Sequence, residues 1–190
     1  MILVLIGKSG SGKSTVAKTL EEMFGYERIL TCTTRPPRKG EFDGVDYRFL
    51  SSESFNEKIE KKEFMEYRKY NASFGDVFYG SLKEDFKKSK KPRIIILNPD
   101  GVVEVLDKIK KSSDFDDMFF VDIDVDEEVL RARLEKRGDS LKEIERRLKS
   151  DESDLQKIKK SLKNEIIKSV NGNSGLYSIC FQIQEKVESF

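Results

Sequence analysis

The sequence contains no histidine and only two cysteines, and both shortages limit the chemistry that the chain can perform. Without histidine there is no imidazole general base and no histidine-ligated metal. Cys32 and Cys180 are too few for a disulfide framework, and the chain opens without a secretory signal pattern, so we expect a reducing, cytoplasmic setting. Any catalysis must therefore depend on lysine, arginine, carboxylates and the backbone.

The sequence also lacks an excess of charge of one sign and a long apolar run. Its 36 Lys and Arg residues nearly balance 35 Asp and Glu residues, so no general field attracts nucleic acid or an anionic membrane. The opening run "MILVLI" is too short to cross a bilayer. We therefore expect neither a nucleic-acid nor a membrane partner, while the oligomeric state is not indicated. The 190 residues suffice for one buried core with small insertions.

Three apolar runs have the composition of buried parallel strands. They are Ile2–Ile6, Arg93–Leu97 and Met118–Asp124. Helical spacing follows the first run in "STVAKTLEEMF" and closes the chain in "GLYSICFQIQEKVESF". This alternation of strands and helices predicts an α/β fold with a parallel sheet.

Two segments interrupt the alternation. Residues 33–80 are rich in Phe, Tyr, Gly and turn residues and predict an inserted, partly β subdomain. Residues 126–150 predict a helix that breaks near Gly138 and restarts at Ser140, with a capping box formed with Glu143. This second segment is therefore interpreted as a helical hairpin with arginines around its tip. A later segment, "SVNGNSG" at 169–175, is interpreted as a loop.

The segment "GKSGSGKST" lies between the first predicted strand and helix and fits the phosphate-binding pattern G-x-x-x-x-G-K-[ST]. Its glycines allow backbone N–H groups to face phosphate oxygens, and the following helix directs its positive dipole end at them. Lys13 supplies a mobile charge, and the Ser14 hydroxyl can ligate Mg²⁺. The pattern predicts a bound nucleoside triphosphate without identifying what receives the phosphate. The predicted phosphate-binding residues are Gly7, Ser9, Gly10, Ser11, Gly12, Lys13, Ser14 and Thr15.

Four further motifs follow this loop: "TTRPPRKGEFDGVDYRF", "FMEY", "FYGS" and "RLEKRG". With the loop they stand in the order of the guanylate kinase family, which the chain resembles from Met1 to about Leu148. The resemblance implies a single domain with a three-layer P-loop kinase core, a parallel sheet, an inserted monophosphate-binding subdomain and a helical lid. The implied divisions are a core of about 1–32, 82–125 and 151–190, an acceptor-binding subdomain of about 33–81 and a lid of about 126–150.

The resemblance also implies an activity, the in-line transfer of a phosphoryl group from ATP to GMP or dGMP with Mg²⁺. By this resemblance Arg35 and Arg38 grip the acceptor phosphate, and guanidinium groups suit that task because they form planar, bidentate bonds. Tyr47 and Tyr79 match positions that add hydroxyl groups. Glu41 matches another binding-loop position, where a carboxylate can orient one of the arginines.

Glu66 in "FMEY" matches the glutamate with which the family reads guanine. A carboxylate accepts the ring N–H and the exocyclic amine of guanine, whereas adenine presents an acceptor at the ring position. Ser81 and Thr31 match positions that complete the guanine pocket, although the family commonly has serine at the second. Ser81 has another interpretation, because "SLKE" can form a capping box with Glu84 and start a helix. Both interpretations of Ser81 stand at this point.

Arg133 and Arg137 are four residues apart and therefore share one helical face. The resemblance implies that these two, with Arg147, close over the triphosphate and stabilise transition-state charge. This lid is about one residue shorter than usual, which leaves Arg146 as an alternative to Arg147. The predicted catalytic residues are Lys13, Arg38, Arg133, Arg137 and Arg147.

The sequence departs from the family after the strand at Arg93. The family usually has two acidic residues there, before a Gln-Gly pair, and here the text is "ILNPDGV". Ile96 and Asn98 occupy the acidic places and Asp100 stands where glutamine is expected. Asn98 keeps hydrogen-bonding groups and is predicted to contact the acceptor, while Asp100 is a candidate second group for the metal.

This departure leaves two alternatives beside a GMP kinase. The chain could phosphorylate another nucleoside monophosphate, or it could be a non-catalytic guanylate-kinase-like module that uses its cleft for a protein ligand. Such modules tend to lose residues of the phosphate loop. The presence of Gly12, Lys13 and Ser14 argues against the second alternative.

Overall fold

The computed structural model describes residues 1–38, 40–72, 75–97, 99–161 and 167–189. In chain order the strands are β1 (Ile2–Ile6), β2 (Glu27–Arg28), β3 (Cys32–Thr33), β4 (Arg48–Phe49), β5 (Phe64–Ala72), β6 (Gly75–Leu82), β7 (Arg93–Ile96), β8 (Met118–Asp124) and β9 (Ile167–Asn171). The helices are α1 (Lys13–Phe24), α2 (Ser52–Glu60), α3 (Pro99–Ile109), α4 (Glu127–Lys136), α5 (Leu141–Ser161) and α6 (Leu176–Glu188), with a 3₁₀ turn at Lys83–Phe86.

The chain divides into two compact units. The first comprises Met1–Arg28, Lys91–Val103 and Asp117–Phe190, and the second comprises Ile29–Lys90 and Glu104–Asp116. The whole of segment 33–81 falls in the second unit, which also takes in the later part of α3. None of the described helices is both long and apolar enough to cross a membrane.

The first unit is built on a parallel sheet with the strand order β2, β7, β1, β8, β9. All five residues of the central strand β1 are buried, so both of its faces are covered. Leu5 pairs with Ile96 on one side and with Val121 on the other. The carboxyl ends of the three strands therefore lie at one edge of the sheet, and the chain leaves that edge at Gly7. The predicted α/β class and the three predicted strands are confirmed, although β7 ends at Ile96.

Helix α1 packs its apolar side on this sheet because Val16 and Leu20, four residues apart, both join the main core cluster. The helix begins after Gly12, which has the left-handed conformation and provides no side-chain cap. Its first backbone N–H groups are therefore left for another partner. The closing helix α6 is also confirmed, and it contributes Ile179 and Ile183 to the same cluster.

The helical hairpin breaks where it was predicted, but its second helix extends beyond the predicted end at residue 150. Gly138 has φ of +94°, and the Ser140 hydroxyl accepts the Glu143 N–H at 3.3 Å. The Glu143 carboxylate pairs with arginines, so the reciprocal half of the expected capping box does not form. The second helix continues to Ser161 because buried apolar residues recur along it, from Ile144 to Ile158.

The predicted loop at 169–175 is wrong over its first three residues. Ser169, Val170 and Asn171 belong to β9, which pairs with β8 at the edge of the sheet. An edge strand can keep polar side chains in water, and in this part of β9 only Val170 is buried. The polar composition therefore concealed a strand.

The second unit contains a four-stranded sheet with the order β4, β3, β6, β5. Strands β5 and β6 form an antiparallel hairpin, and β6 also pairs antiparallel with β3. Helix α2, which the sequence patterns did not single out, begins where the Ser51 hydroxyl accepts the Ser54 N–H at 3.1 Å. It buries Phe55 against Cys32, Phe64 and Leu82 in a small separate core.

A β-bulge shapes the start of the hairpin. Phe64 pairs with Leu82, but Glu66 pairs with Ser81, so Met65 is an extra residue in β5. The bulge brings Glu66 directly opposite Ser81. The alternative capping role of Ser81 is wrong, because Ser81 lies inside β6 and the following turn has no side-chain cap.

Candidate active site

The phosphate loop, Gly7 to Thr15, joins β1 to α1 and depends on three glycines. Gly7, Gly10 and Gly12 have φ values of +142°, +82° and +92°. L-residues rarely adopt these values, so the backbone path requires glycine. At Gly7 a Cβ atom would also lie 2.9 Å from the carbonyl oxygen of Ile123 and 2.9 Å from Ser11 Oγ. The loop conformation is therefore fixed by backbone geometry.

Lys13 is held inside the loop. Its Nζ donates to the carbonyl oxygens of Gly7 at 2.8 Å and Lys8 at 2.9 Å. An ammonium group has three donors, and the third meets Ser11 Oγ at the longer distance of 3.4 Å. Burial lowers the pKa of Lys13 to about 8, although the negative charges of Asp151 and Asp122 act to raise it. Lys13 is thus mainly charged at neutral pH and suited to a phosphate oxygen.

A cleft of about 630 Å³ lies over the phosphate loop. Arg133 reaches across it, and its Nη1 and Nη2 donate to the carbonyl oxygens of Gly10 and Gly172, each at 3.3 Å. Arg137 also faces the cleft and is paired with Asp139. The structure thus brings two of the predicted lid arginines to the loop. The described residues that line the cleft are Ser9, Gly10, Ser11, Gly12, Lys13, Ser14, Thr15, Val16, Arg133, Arg137, Ser174, Leu176 and Ile179.

The remaining predicted residues of this unit are not in the described lining of the cleft. Arg147 Nε lies 2.7 Å from Glu143 Oε1, and the alternative Arg146 donates to the same carboxylate at 2.7 Å. Asp100 is exposed in the first turn of α3. Asn98 lies outside the described residues.

Carboxylates of α5 and β8 that the motifs did not reveal surround the loop. Asp151 accepts the Ser9 N–H at 2.6 Å, and Glu152 lies 2.5 Å from Lys8 Nζ. The carboxylate of Asp122 is buried in β8 and pairs with Lys159 of α5 at 3.1 Å. The one indication for Asp122 in the sequence was its position as a charged residue within the apolar run "MFFVDID". Asp151 and Glu152 carried no signal because charged residues are frequent throughout their helix.

The second unit contains a side-chain network around Arg35, which we call the Arg35 network. Arg35 is 7% exposed, its Nη2 donates to Glu41 Oε1 at 3.0 Å, and its Nε donates to Tyr79 Oη at 3.2 Å. Glu41 Oε2 also accepts the backbone N–H of Arg38 at 2.8 Å. Glu41 therefore fixes the Arg35 side chain and the backbone beside Arg38 together. The Arg38 side chain is exposed.

Aromatic rings enclose the Arg35 guanidinium. Its carbon lies 5.3 Å from the centre of the Tyr47 ring and 5.7 Å from that of Phe49. These distances are typical of cation–π contacts. The rings of Tyr47 and Tyr79 also meet edge to face at 6.2 Å. Burial raises the pKa of Tyr47, so its hydroxyl remains a donor at neutral pH. The predicted residues Arg35, Glu41, Tyr47 and Tyr79 are thus in one contact network.

Glu66 is a buried carboxylate at the bulge of β5. It is 4% exposed, and Ser81 Oγ donates to its Oε1 at 2.9 Å. Burial raises the pKa of Glu66, while the Ser81 bond opposes that rise. One donor leaves most acceptor positions of the carboxylate unfilled. Thr31 lies just before β3, and its carbonyl oxygen accepts the Arg48 N–H at 3.0 Å.

Comparison with known proteins agrees with this arrangement. A family model described as guanylate kinase matches residues 1–185. A guanylate kinase of Fusobacterium nucleatum is 33% identical over 156 residues, 82% of this chain and 81% of that protein. One of Helicobacter pylori is 37% identical over 158 residues, 82% of this chain and 73% of that protein.

The fold agrees as well. The crystal structure of guanylate kinase from Anaplasma phagocytophilum aligns with a TM-score of 0.69 at 20% identity, covering all of this chain and 85% of that one. Because the family match extends over almost the whole sequence and includes both the phosphate loop and the Arg35 network, the chain belongs to the guanylate kinase family.

Proposed function

We propose that this protein phosphorylates GMP, and also dGMP, with ATP as the phosphoryl donor. The observation that carries the acceptor assignment is the buried Glu66 carboxylate, which has Ser81 as a neighbour and retains unfilled acceptor positions. Guanine offers two adjacent N–H donors to such a group, and adenine does not. A buried carboxylate left without donors is costly, so the pocket favours guanine.

The phosphate loop supports ATP as the donor. Its backbone amides, the amino end of α1 and the Lys13 ammonium form an anion site. Arg133 and Arg137 line the same cleft and add positive charge, so the residues present fit a triphosphate. Their part in the reaction is to orient the phosphates and to stabilise the charge that develops on them during transfer.

The Arg35 network supports the binding of the acceptor phosphate. Arg35 is already fixed by Glu41 and the aromatic rings, so little side-chain entropy is lost when a phosphate binds. We propose that Arg35 and Arg38 bind this phosphate, with Tyr47 and Tyr79 as hydroxyl donors. These groups position the acceptor for direct attack, and no residue of the chain forms a covalent intermediate.

The donor set fits Mg²⁺ that is held mainly by the nucleotide. Ser14 lines the cleft, and the described residues contain no cluster of three acidic or cysteine groups that could hold a metal by themselves. We propose that the Ser14 hydroxyl is the protein ligand, with phosphate and water oxygens as the others. When bound, the ion neutralises phosphate charge. Asp100, the second predicted group, stays a prediction.

Nucleotides are the proposed partners, and a cytoplasmic setting is the proposed location. Cys32 and Cys180 are both buried and free, which suits a reducing compartment. This setting also contains the ATP that the reaction consumes.

A coupled assay of ADP release tests the proposal, with GMP, dGMP, AMP, CMP and UMP as acceptors at fixed ATP and Mg²⁺. We expect rapid turnover with GMP and dGMP and slow turnover with the other three. Absence of turnover with every acceptor would refute the enzymatic function. A preference for AMP or a pyrimidine would refute the role of Glu66.

A further inference from the structure

The bulge that aims Glu66 needs support from outside its own strand. A β-bulge disrupts the ladder locally, so the extra residue is not held by regular cross-strand pairing. Met65 is the extra residue here, and Glu66 follows it directly. The position of the Glu66 carboxylate therefore depends on what holds the Met65 peptide.

Lys108 of α3 holds that peptide. Its Nζ donates to the carbonyl oxygen of Met65 and also lies 2.7 Å from Glu104 Oε1, one helical turn back. The other oxygen of Glu104 accepts Arg68 Nη1 at 2.6 Å, and Arg68 Nη1 also donates to the carbonyl oxygen of Tyr67 at 2.7 Å. These contacts form the Lys108 brace, which we define as Lys108, Glu104 and Arg68. The brace therefore contacts β5 on both sides of Glu66, at the carbonyl oxygens of Met65 and Tyr67.

The charges of the brace also act on Glu66. Lys108 and Arg68 stabilise the negative carboxylate, and Glu104 acts in the opposite sense. Glu104 is paired with both cations, so its own charge is largely neutralised within the brace. The brace thus supplies both a mechanical hold on the bulge and a favourable field for a charged Glu66.

We propose that Lys108 is a positioning residue for base recognition, which fixes the Met65 bulge so that the Glu66 carboxylate meets the guanine edge. The inference rests on the proposed function, because it deepens the role assigned to Glu66. Lys108 itself does not contact the base in this account. Loss of Lys108 should therefore weaken binding of the acceptor and not of ATP. Within the acceptor, it should weaken the contacts of Glu66 with the ring N–H and the exocyclic amine of guanine.

The test uses Lys108→Met, which keeps an unbranched apolar side chain of nearly the same length and removes the ammonium donor. Lys111→Met, at an exposed lysine beyond the end of α3, is the matched control. We expect Lys108→Met to raise the KM for GMP about tenfold, the factor that corresponds to the net contribution of one hydrogen bond. The kcat and the KM for ATP should stay within about twofold of the unmodified protein, as in the control.

The ratio of kcat/KM for GMP to that for IMP distinguishes positioning from general damage. IMP has the ring N–H of guanine but lacks the exocyclic amine, so a misaligned Glu66 loses part of its preference between the two. We expect Lys108→Met to lower this ratio and Lys111→Met to leave it unchanged. Glu104→Gln, which keeps Lys108 but weakens the brace, should change the ratio in the same direction by a smaller factor.

Two results would overturn the inference. Kinetics of Lys108→Met equal to those of Lys111→Met would show that the brace does not position Glu66. A parallel loss for GMP, IMP and ATP would show that Lys108 only stabilises the fold. Calorimetric titration of GMP into the unmodified protein and each variant distinguishes failure of this inference from failure of the proposed function. If the unmodified protein does not bind GMP, the proposed function itself is wrong.

Discussion

The phosphate-loop cleft of the first unit is built mainly from backbone, whereas the proposed acceptor site of the second unit, the Arg35 network and Glu66, is built from side chains. In the loop, positive φ values at three glycines set the direction of the amides, and Lys13 is held by two carbonyl oxygens. In the second unit, Arg35 is held by the side chains of Glu41, six residues further along the chain, and of Tyr79 on β6, the neighbour of β3 in the sheet. The first kind of site tolerates little change in backbone path, and the second tolerates little change in side-chain chemistry.

The largest effect is expected at Lys13, whose side chain is held inside the loop. Lys13→Met should lower turnover about a thousandfold, because it removes a buried positive charge placed at the phosphates. Lys18→Met, at an exposed lysine on the same helix, is the control and should retain turnover. The ADP-release assay measures both, with circular dichroism to verify the fold. Full activity in Lys13→Met would remove the assignment of the loop.

Glu66→Gln should have the next largest effect and should depend on the acceptor. Glutamine keeps the shape but places an amide donor where guanine also presents donors, so kcat/KM for GMP should fall about thirtyfold, or ~2 kcal/mol. The value for AMP should stay the same or rise. Glu60→Gln, at an exposed glutamate of α2, provides the comparison. An equal loss with GMP and AMP would mean that Glu66 does not read the base.

Adding a methyl group at Gly7 tests whether the phosphate loop depends on its backbone path. Gly7→Ala places Cβ 2.9 Å from the Ile123 carbonyl oxygen, so the loop must shift, and we expect kcat/KM for ATP to fall at least about tenfold. Gly138 also has a positive φ, +94° against +142° at Gly7, but a Cβ added there has nothing within 4 Å, so Gly138→Ala is the comparison. If kcat/KM for ATP falls by a similar factor in both variants, the positive φ alone explains the effect. If it does not fall in Gly7→Ala, close backbone contacts do not determine the loop conformation.

The smallest expected effect is on stability, again at Glu66. Burial raises the pKa of Glu66 in the folded state above its unfolded value, so the folded protein binds the proton more tightly. The associated stability is present below the unfolded pKa and is lost as pH rises through the folded pKa. Urea unfolding at pH 4.5 and pH 7.5 should therefore show Glu66→Gln gaining stability relative to the unmodified protein at the higher pH. A gain at the lower pH instead would contradict this sign.

The same contrast explains how much the sequence could reveal. The phosphate loop was predictable because its glycines, Lys13 and Ser14 are contiguous, and the pattern itself encodes the backbone path. The buried strands were predictable because continuous apolar runs have few alternatives. Arg35, Glu41 and Glu66 could be assigned only by resemblance to a known family, because no local sequence pattern relates these residues to one another.

Other features depended on tertiary contacts that leave no pattern. The bulge at Met65 appears only when β5 pairs with β6, and its contact with Lys108 joins residues 43 positions apart. The polar strand β9 is stable because it pairs with β8, against its own composition. Ser81 had two interpretations, and its position inside β6 opposite Glu66 excludes the capping role, while its part in the guanine pocket stays a prediction.

An internal competition tests the central claim most directly. The protein is incubated with γ-labelled ATP, Mg²⁺ and equal concentrations of GMP and AMP, and the label in GDP and ADP is separated by chromatography. The ratio of the two products gives the ratio of kcat/KM values in one measurement. Our account predicts that nearly all of the transferred label appears in GDP. Equal label in the two products, more label in ADP, or no transfer at all would contradict it.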